Sequence, residues 1–219
     1  MYRCVIFDLD GTLLNTLSDL SDAVNDSLAL HGLPSRSRDE VKSFIGDGVA
    51  KLIERSVPVG TPDALTAEVL RDFKAYYAAH CEDHTAPYEG ILPLLSTLRE
   101  QNILTGIVSN KFDAAVKALS AHYFRDIIDV AVGEQEALGI RKKPAPDTLL
   151  MAMNVLEVSA EETLYVGDAD TDILTARAAG VDCVSVTWGF RDREFLLSHG
   201  ATRLADTPEA LLSLIQTKG

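Results

Sequence analysis

The sequence is short of positive charge. Only 20 Lys and Arg stand against 33 Asp and Glu, a formal net charge of −13 over 219 residues. Nucleic acid and anionic membrane bind through Lys and Arg that neutralise phosphates, so neither is expected as a partner. A small phosphate ester is not excluded, because it needs only local positive potential. Long apolar runs are also missing: none approaches the roughly 20 residues of a membrane-spanning helix. Asp8 and Asp10 stand where a secretory leader needs an unbroken apolar stretch, which predicts a cytoplasmic protein. Cysteine is scarce. Cys4, Cys81 and Cys183 show no metal or redox spacing, as suits a reducing compartment. No low-complexity segment and no repeat of about 20–50 residues is present, which excludes solenoids. What the sequence does have is apolar content, 47% hydrophobic residues at 24% charged. That suffices for one large domain, or one domain with a smaller insert.

Short apolar strands alternate with helical stretches. The strand candidates are 3–8, 103–109, 127–133, 163–167 and 182–187, with helices over 91–101, 113–121, 145–156, 170–179 and 208–215. The strand cores, such as Val5-Ile6-Phe7, are continuous rather than alternating, as in strands covered on both faces. Thr207 is placed as N-cap of the last helix, with Pro208 in its first turn. The pattern predicts an α/β protein with a parallel sheet.

The first strand breaks the rhythm. From Leu17 to about His84 no strand is convincing. Leu17, Leu20, Val24 and Leu28 recur at helical spacing, with Asp19, Asp22 and Asp26 expected on solvated faces. Leu65, Val69, Phe73, Tyr76 and Tyr77 make a second stripe, and a third helix is expected from Asp47 to Val57. So much helix is too long for an ordinary crossover. The reading is a core of residues 1–15 and 85–219 with an all-helical cap domain, 16–84, hinged near Asn15 and Thr85–Glu89.

Ligands of open parallel sheets bind outside the carboxyl ends of the strands. There the first strand presents Asp8-Leu9-Asp10-Gly11-Thr12 and the second Ser109-Asn110-Lys111. Lys143-Pro144 precedes the fourth, which ends in Gly167-Asp168-Ala169-Asp170-Thr171-Asp172. These types suit phosphoryl transfer: one carboxylate can attack phosphorus, and a second can move the proton. Grouped acids hold Mg²⁺, while a hydroxyl, backbone amides and a lysine bind the transferring oxygens. A lone Asp-x-Asp is often only a turn or cap. Two acid pairs at two strand ends would repel unless a cation joined them. Cys81 and His84 lack the second pair of a zinc site, and Trp188 and Tyr76-Tyr77 read as packing.

In this order the four motifs resemble those of the haloacid dehalogenase superfamily, over essentially the whole chain. The resemblance implies a Rossmann-like core, a mobile helical cap and a phosphatase working through an aspartyl phosphate. It implies Asp8 as nucleophile and Asp10 as general acid and base. Thr12, Ser109, Asn110 and Lys143 would bind or orient the phosphoryl group. Mg²⁺ would be held by Asp8, the Asp10 backbone carbonyl and Asp168, supported by Asp172. Within the superfamily the chain is similar to phosphoglycolate phosphatases, on Phe44-Ile45-Gly46-Asp47-Gly48-Val49, Lys143-Pro144-Ala145-Pro146-Asp147 and Thr187-Trp188-Gly189. That implies a small phosphorylated metabolite such as 2-phosphoglycolate, with Gly46, Asp47, Gly48 and Lys51 as specificity candidates. Gly46 and Gly48 could equally be a helix-entry turn, and Lys51 a solvated lysine. Two departures stand out, Asn15 and Ala169, where the family often has Asp and Ser or Thr. The alternatives are a phosphomutase, a pyrophosphatase or a nucleotidase of the same superfamily, and more remotely a phospho-accepting module without turnover.

Overall fold

The computed structural model describes residues 2–217. Its main sheet has six parallel strands in the order β5-β4-β1-β6-β7-β8. They are β1 (Cys4–Phe7), β4 (Leu104–Phe112), β5 (Val130–Glu134), β6 (Thr163–Gly167), β7 (Asp182–Val186) and β8 (Leu204–Ala205). The first strand therefore lies inside the sheet, between β4 and β6. All four β1 residues are buried, which is why its apolar run is continuous. Strand alternation sends Val5 and Phe7 into one core cluster, with Leu94, Leu95, Leu98, Val116 and Leu119. Cys4 and Ile6 face the other, with Leu149, Ala152 and Met153.

Helices α5 (Ile91–Glu100), α6 (Asp113–Tyr123), α7 (Asp147–Val155), α8 (Asp170–Ala179) and α10 (Pro208–Gln216) lie close to the expected spans. Thr207 caps α10, its hydroxyl accepting from the Ala210 amide. In the last third of the chain β8 and α9 (Arg193–Ser198) are additional to the sequence reading. The strand expected over 103–109 runs on to Phe112, with a register irregularity after Val108. Asn110 and Lys111 thus sit on the strand with Ser109 rather than beyond its end, and all three are buried.

Between β2 (Leu14–Asn15) and β3 (Ala86–Pro87) the chain forms only helices: α1 (Leu17–Leu30), α2 (Arg38–Phe44), α3 (Val49–Ser56) and α4 (Asp63–His80). The flanking β2 and β3 pair as a short antiparallel ribbon, Leu14 opposite Pro87 and Asn15 opposite Ala86. Leu20, Val24 and Leu28 of α1 are buried with Val69, Phe73 and Tyr77 of α4. α2 was not expected. A capping box starts it: Ser37 Oγ accepts from the Glu40 amide while the Glu40 carboxylate accepts from the Ser37 amide.

Asp19 corrects one expectation. It is 2% exposed rather than solvated. Its carboxylate accepts from the His84 and Thr85 amides, both at 2.9 Å, and from Thr85 Oγ1 at 2.7 Å. The returning chain brings those donors against the first turn of α1, and a carboxylate satisfies all three.

Candidate active site

β1 delivers Asp8 to the middle of the sheet's carboxyl edge, where its amide continues the ladder to Val166. The chain then turns through Gly11, at φ +87°, where a Cβ would collide with the Asp168 carboxylate. Asp168, at the end of β6, is held by two donors and faces a like charge. Thr12 Oγ1 donates to Oδ1 at 3.2 Å, the Phe190 amide donates to Oδ2 at 2.6 Å, and Asp8 lies across the crevice. Trp188 Nε1 donates to the Thr12 carbonyl at 3.0 Å, so Trp188 braces that turn.

Asp172, in the first turn of α8, organises the opposite wall. Its Oδ2 accepts from the Asp168 and Ala169 amides at 3.1 and 3.0 Å. Its Oδ1 accepts from Lys143 Nζ at 2.7 Å and the Tyr165 hydroxyl at 3.1 Å. Lys143 Nζ also lies 3.0 Å from Asp8 Oδ1. That contact is an ion pair without hydrogen-bond alignment, and Asp8 Oδ1 is buried with no hydrogen-bond partner. Burial opposes the Lys143 ammonium, but Asp172 and Asp8 outweigh it and hold its pKa above the usual lysine range.

Asp8, Asp168 and Asp172 each bring a carboxylate oxygen within 4.8 Å of the others. Burial pushes the Asp168 carboxyl up to about 8, reinforced by the charges of Asp8 and Asp172. Asp8 rises to about 6, again through burial first, with Lys143 pulling the other way. Converging buried carboxylates with one unbonded oxygen and elevated pKa values fit a hard divalent cation. Asp170 stays on the helix N-terminus, outside this cluster.

Asp10 is held apart from it. Lys111 Nζ donates to both its oxygens, at 2.8 and 2.7 Å, and Thr16 Oγ1 to Oδ1 at 2.7 Å. Lys111 carried no role in the sequence reading, although it closes the Ser109-Asn110-Lys111 run. Its signal is a lysine three residues past the apolar core Ile107-Val108. Its side chain is only 1% exposed, and its ammonium lies 4.6 Å from the centre of the Tyr77 ring of α4.

The remaining expected residues divide. Ser109 is buried on the pocket wall. Asn110 spends its side chain on backbone: Nδ2 donates to Gly46 and Lys143 carbonyls, each at 3.0 Å, and Oδ1 accepts from the Lys143 amide. Gly46 and Gly48 line the pocket beside Ile45, Val49 and Leu52. Asp47 and Lys51 do not; they pair with Arg55 and Glu54.

The profile of the haloacid dehalogenase-like hydrolases matches residues 5–186. The chain belongs to that family. A phosphoglycolate phosphatase of Rhodospirillum rubrum is 35% identical over 215 residues, 94% of this chain and 88% of the relative. One from Pseudomonas putida is 33% identical, over 96% of this chain and 76% of the relative. Among solved structures, a candidate phosphoglycolate phosphatase from Lactobacillus delbrueckii subsp. bulgaricus superposes with a TM-score of 0.90 at 36% identity, covering 98% of both chains. CbbY of Rhodobacter sphaeroides, solved with xylulose-(1,5)-bisphosphate, superposes at 0.77 with 25% identity over 95% of both. The protein is a phosphatase of the haloacid dehalogenase family, and its acid cluster lies at the strand ends where an α/β sheet binds ligands. Among the described residues no helix is long and apolar enough to cross a membrane.

Proposed function

We propose that this hydrolase is a Mg²⁺-dependent phosphomonoesterase working through a phosphorylated Asp8, with 2-phosphoglycolate or a similarly small ester as substrate. The observation that carries the reading is Asp8 Oδ1, a buried carboxylate oxygen without a hydrogen-bond partner, flanked by Lys143 and Asp168. Asp8 attacks phosphorus, and the ester P–O bond breaks. Asp10, two residues on, would give the leaving alkoxide a proton that it takes up in exchange for its Lys111 ion pair. It then takes one from the water that displaces phosphate from Asp8, a role worth about 10²–10⁴ in rate. Lys143 and the strand-end amides bind the phosphoryl oxygens, while Ser109 offers a hydroxyl from the wall. Asp8, the Asp10 carbonyl and Asp168 would hold the cation, with Asp172 supporting the set. When bound, Mg²⁺ offsets the repulsion between an anionic nucleophile and an anionic ester.

Residues 16–84 act in this reading as a cap domain over a core of 1–15 and 85–219. The apolar pocket wall, with Leu20, Ile45, Val49 and Leu52 from the insert, suits a small substrate. The test is Mg²⁺-dependent phosphate release across small phosphoesters, sugar phosphates, nucleotides and pyrophosphate. Phosphoglycolate should show the highest kcat/KM, with orthophosphate rather than an isomerised sugar phosphate as product. Asp8→Asn should abolish turnover while the protein stays folded, read from its circular dichroism spectrum; near-normal release by that variant would sink the mechanism.

A further inference from the structure

The segment between β7 and α9 touches both the acid cluster and the helical insert. The Phe190 amide holds Asp168 Oδ2 at 2.6 Å, and the Phe190 side chain lines the pocket. The next residue, Arg191, also lines the pocket and reaches on to the insert. Its guanidinium donates to the carbonyls of Lys42, Ser43 and Ile45 at 3.5, 3.2 and 2.9 Å. These carbonyls close the C-terminal end of α2, where a helix leaves acceptors without intrahelical donors. The guanidinium carbon lies 5.2 Å from the centre of the Phe195 ring, which steadies it on the core side. Among the described residues Arg191 has no carboxylate in an ion pair, so its donors are left for the insert. At the residue after Ile45, Asn110 of β4 donates to the Gly46 carbonyl. The 42–46 stretch is thus held by two core side chains, and Arg191 supplies the charged grip.

We propose that Arg191 is a clasp, a positioning residue that seats the 42–48 loop over the pocket and, through its chain neighbour Phe190, couples that seating to the placement of Asp168. It touches neither phosphorus nor cation. Its effect on rate runs through closure, which keeps water out while Asp8 is being phosphorylated. The rate arm rests on the phosphatase reading above; the structural arm does not.

Hydrogen exchange and kinetics on the intact protein test it, with Arg191→Ala and Arg191→Lys. In Arg191→Ala the amides of 42–48 should exchange about tenfold faster, as for one lost charge-assisted hydrogen bond, with β1 and β6 unchanged. Arg191→Lys, a point donor in place of a fork, should fall between. With Mg²⁺, kcat/KM for 2-hydroxyethyl phosphate should drop by about tenfold, and for p-nitrophenyl phosphate, whose leaving group needs little help, by less than about threefold. Unchanged exchange at 42–48 overturns the clasp. So does a loss confined to 2-phosphoglycolate with 2-hydroxyethyl phosphate spared, which would make Arg191 a ligand of the substrate carboxylate. If phosphoglycolate proves not to be a substrate at all, the substrate reading fails while the exchange result still decides the clasp. Should Arg191→Ala unfold, exchange will rise in β1 as well, and Arg191→Lys then carries the same comparison.

Discussion

Lys111 and Asp10 come from strand ends 101 residues apart and meet as an ion pair with side chains 1% and 12% exposed. Removing the cation alone leaves a largely buried carboxylate with only Thr16 as donor. Lys111→Met should therefore cost about 3–5 kcal/mol, read from urea unfolding. Adding Asp10→Asn to that variant should recover part of the loss, since an amide is neutral; a double variant less stable than Lys111→Met would refute the pairing argument. The same pair shows what sequence can disclose at this scale. Asp8 and Asp168 were legible because each stands just past a strand end, where a parallel sheet gathers its ligands, and Lys143 because a proline fixes it in the loop before α7. The partner of Lys111 was not. A lysine after an apolar strand core reads alike whether it faces solvent or a carboxylate brought in by another strand. Thr12 and Asn110 were legible as members of the crevice, yet their side chains turn to Asp168 and to backbone.

At the scale of elements, the ends of the helical insert depend on a few polar contacts. Asp19 joins the first turn of α1 to His84 and Thr85, beside the β2–β3 ribbon. Asp19→Ala leaves two backbone amides and a hydroxyl without that acceptor, and should lower unfolding free energy by about 1.5–3 kcal/mol. Exposed Asp22, three residues on, is the control: Asp22→Ala should stay within about 0.5 kcal/mol. Equal effects would mean that Asp19 matters only as charge. Ser37→Ala should cost a further ~0.5–2 kcal/mol by uncapping α2, measured the same way. The S-x-x-E spacing of Ser37 and Glu40 was readable, but a seven-residue helix has too few turns for an apolar stripe to draw attention to it. β8 has two residues and acquires its identity only by pairing with β7. The long helices were legible because their burial is periodic and the long strands because theirs is continuous; these short pieces are defined by their partners.

For the whole molecule, a net charge of −13 leaves an excess of acid, part of which is concentrated where a cation can use it. Without metal, that concentration works against folding. The Asp168 carboxyl rises from an ordinary 3.8 to about 8, and Asp8 to about 6. A raised native pKa means that the folded state binds the proton more tightly than the unfolded one. The resulting stability is complete below about pH 4 and is lost as pH climbs through about 8. In EDTA the melting temperature should therefore fall between about pH 5 and pH 8, and Asp168→Asn should flatten that fall. Mg²⁺ has the opposite linkage, because it binds the deprotonated carboxylates. Its stabilisation should be small at the lower pH, where protons compete, and large at the higher one. Thermal melts with and without Mg²⁺ at the two pH values settle the sign. A shift independent of pH, or one that survives unchanged in Asp168→Asn, would place the cation somewhere other than between Asp8 and Asp168.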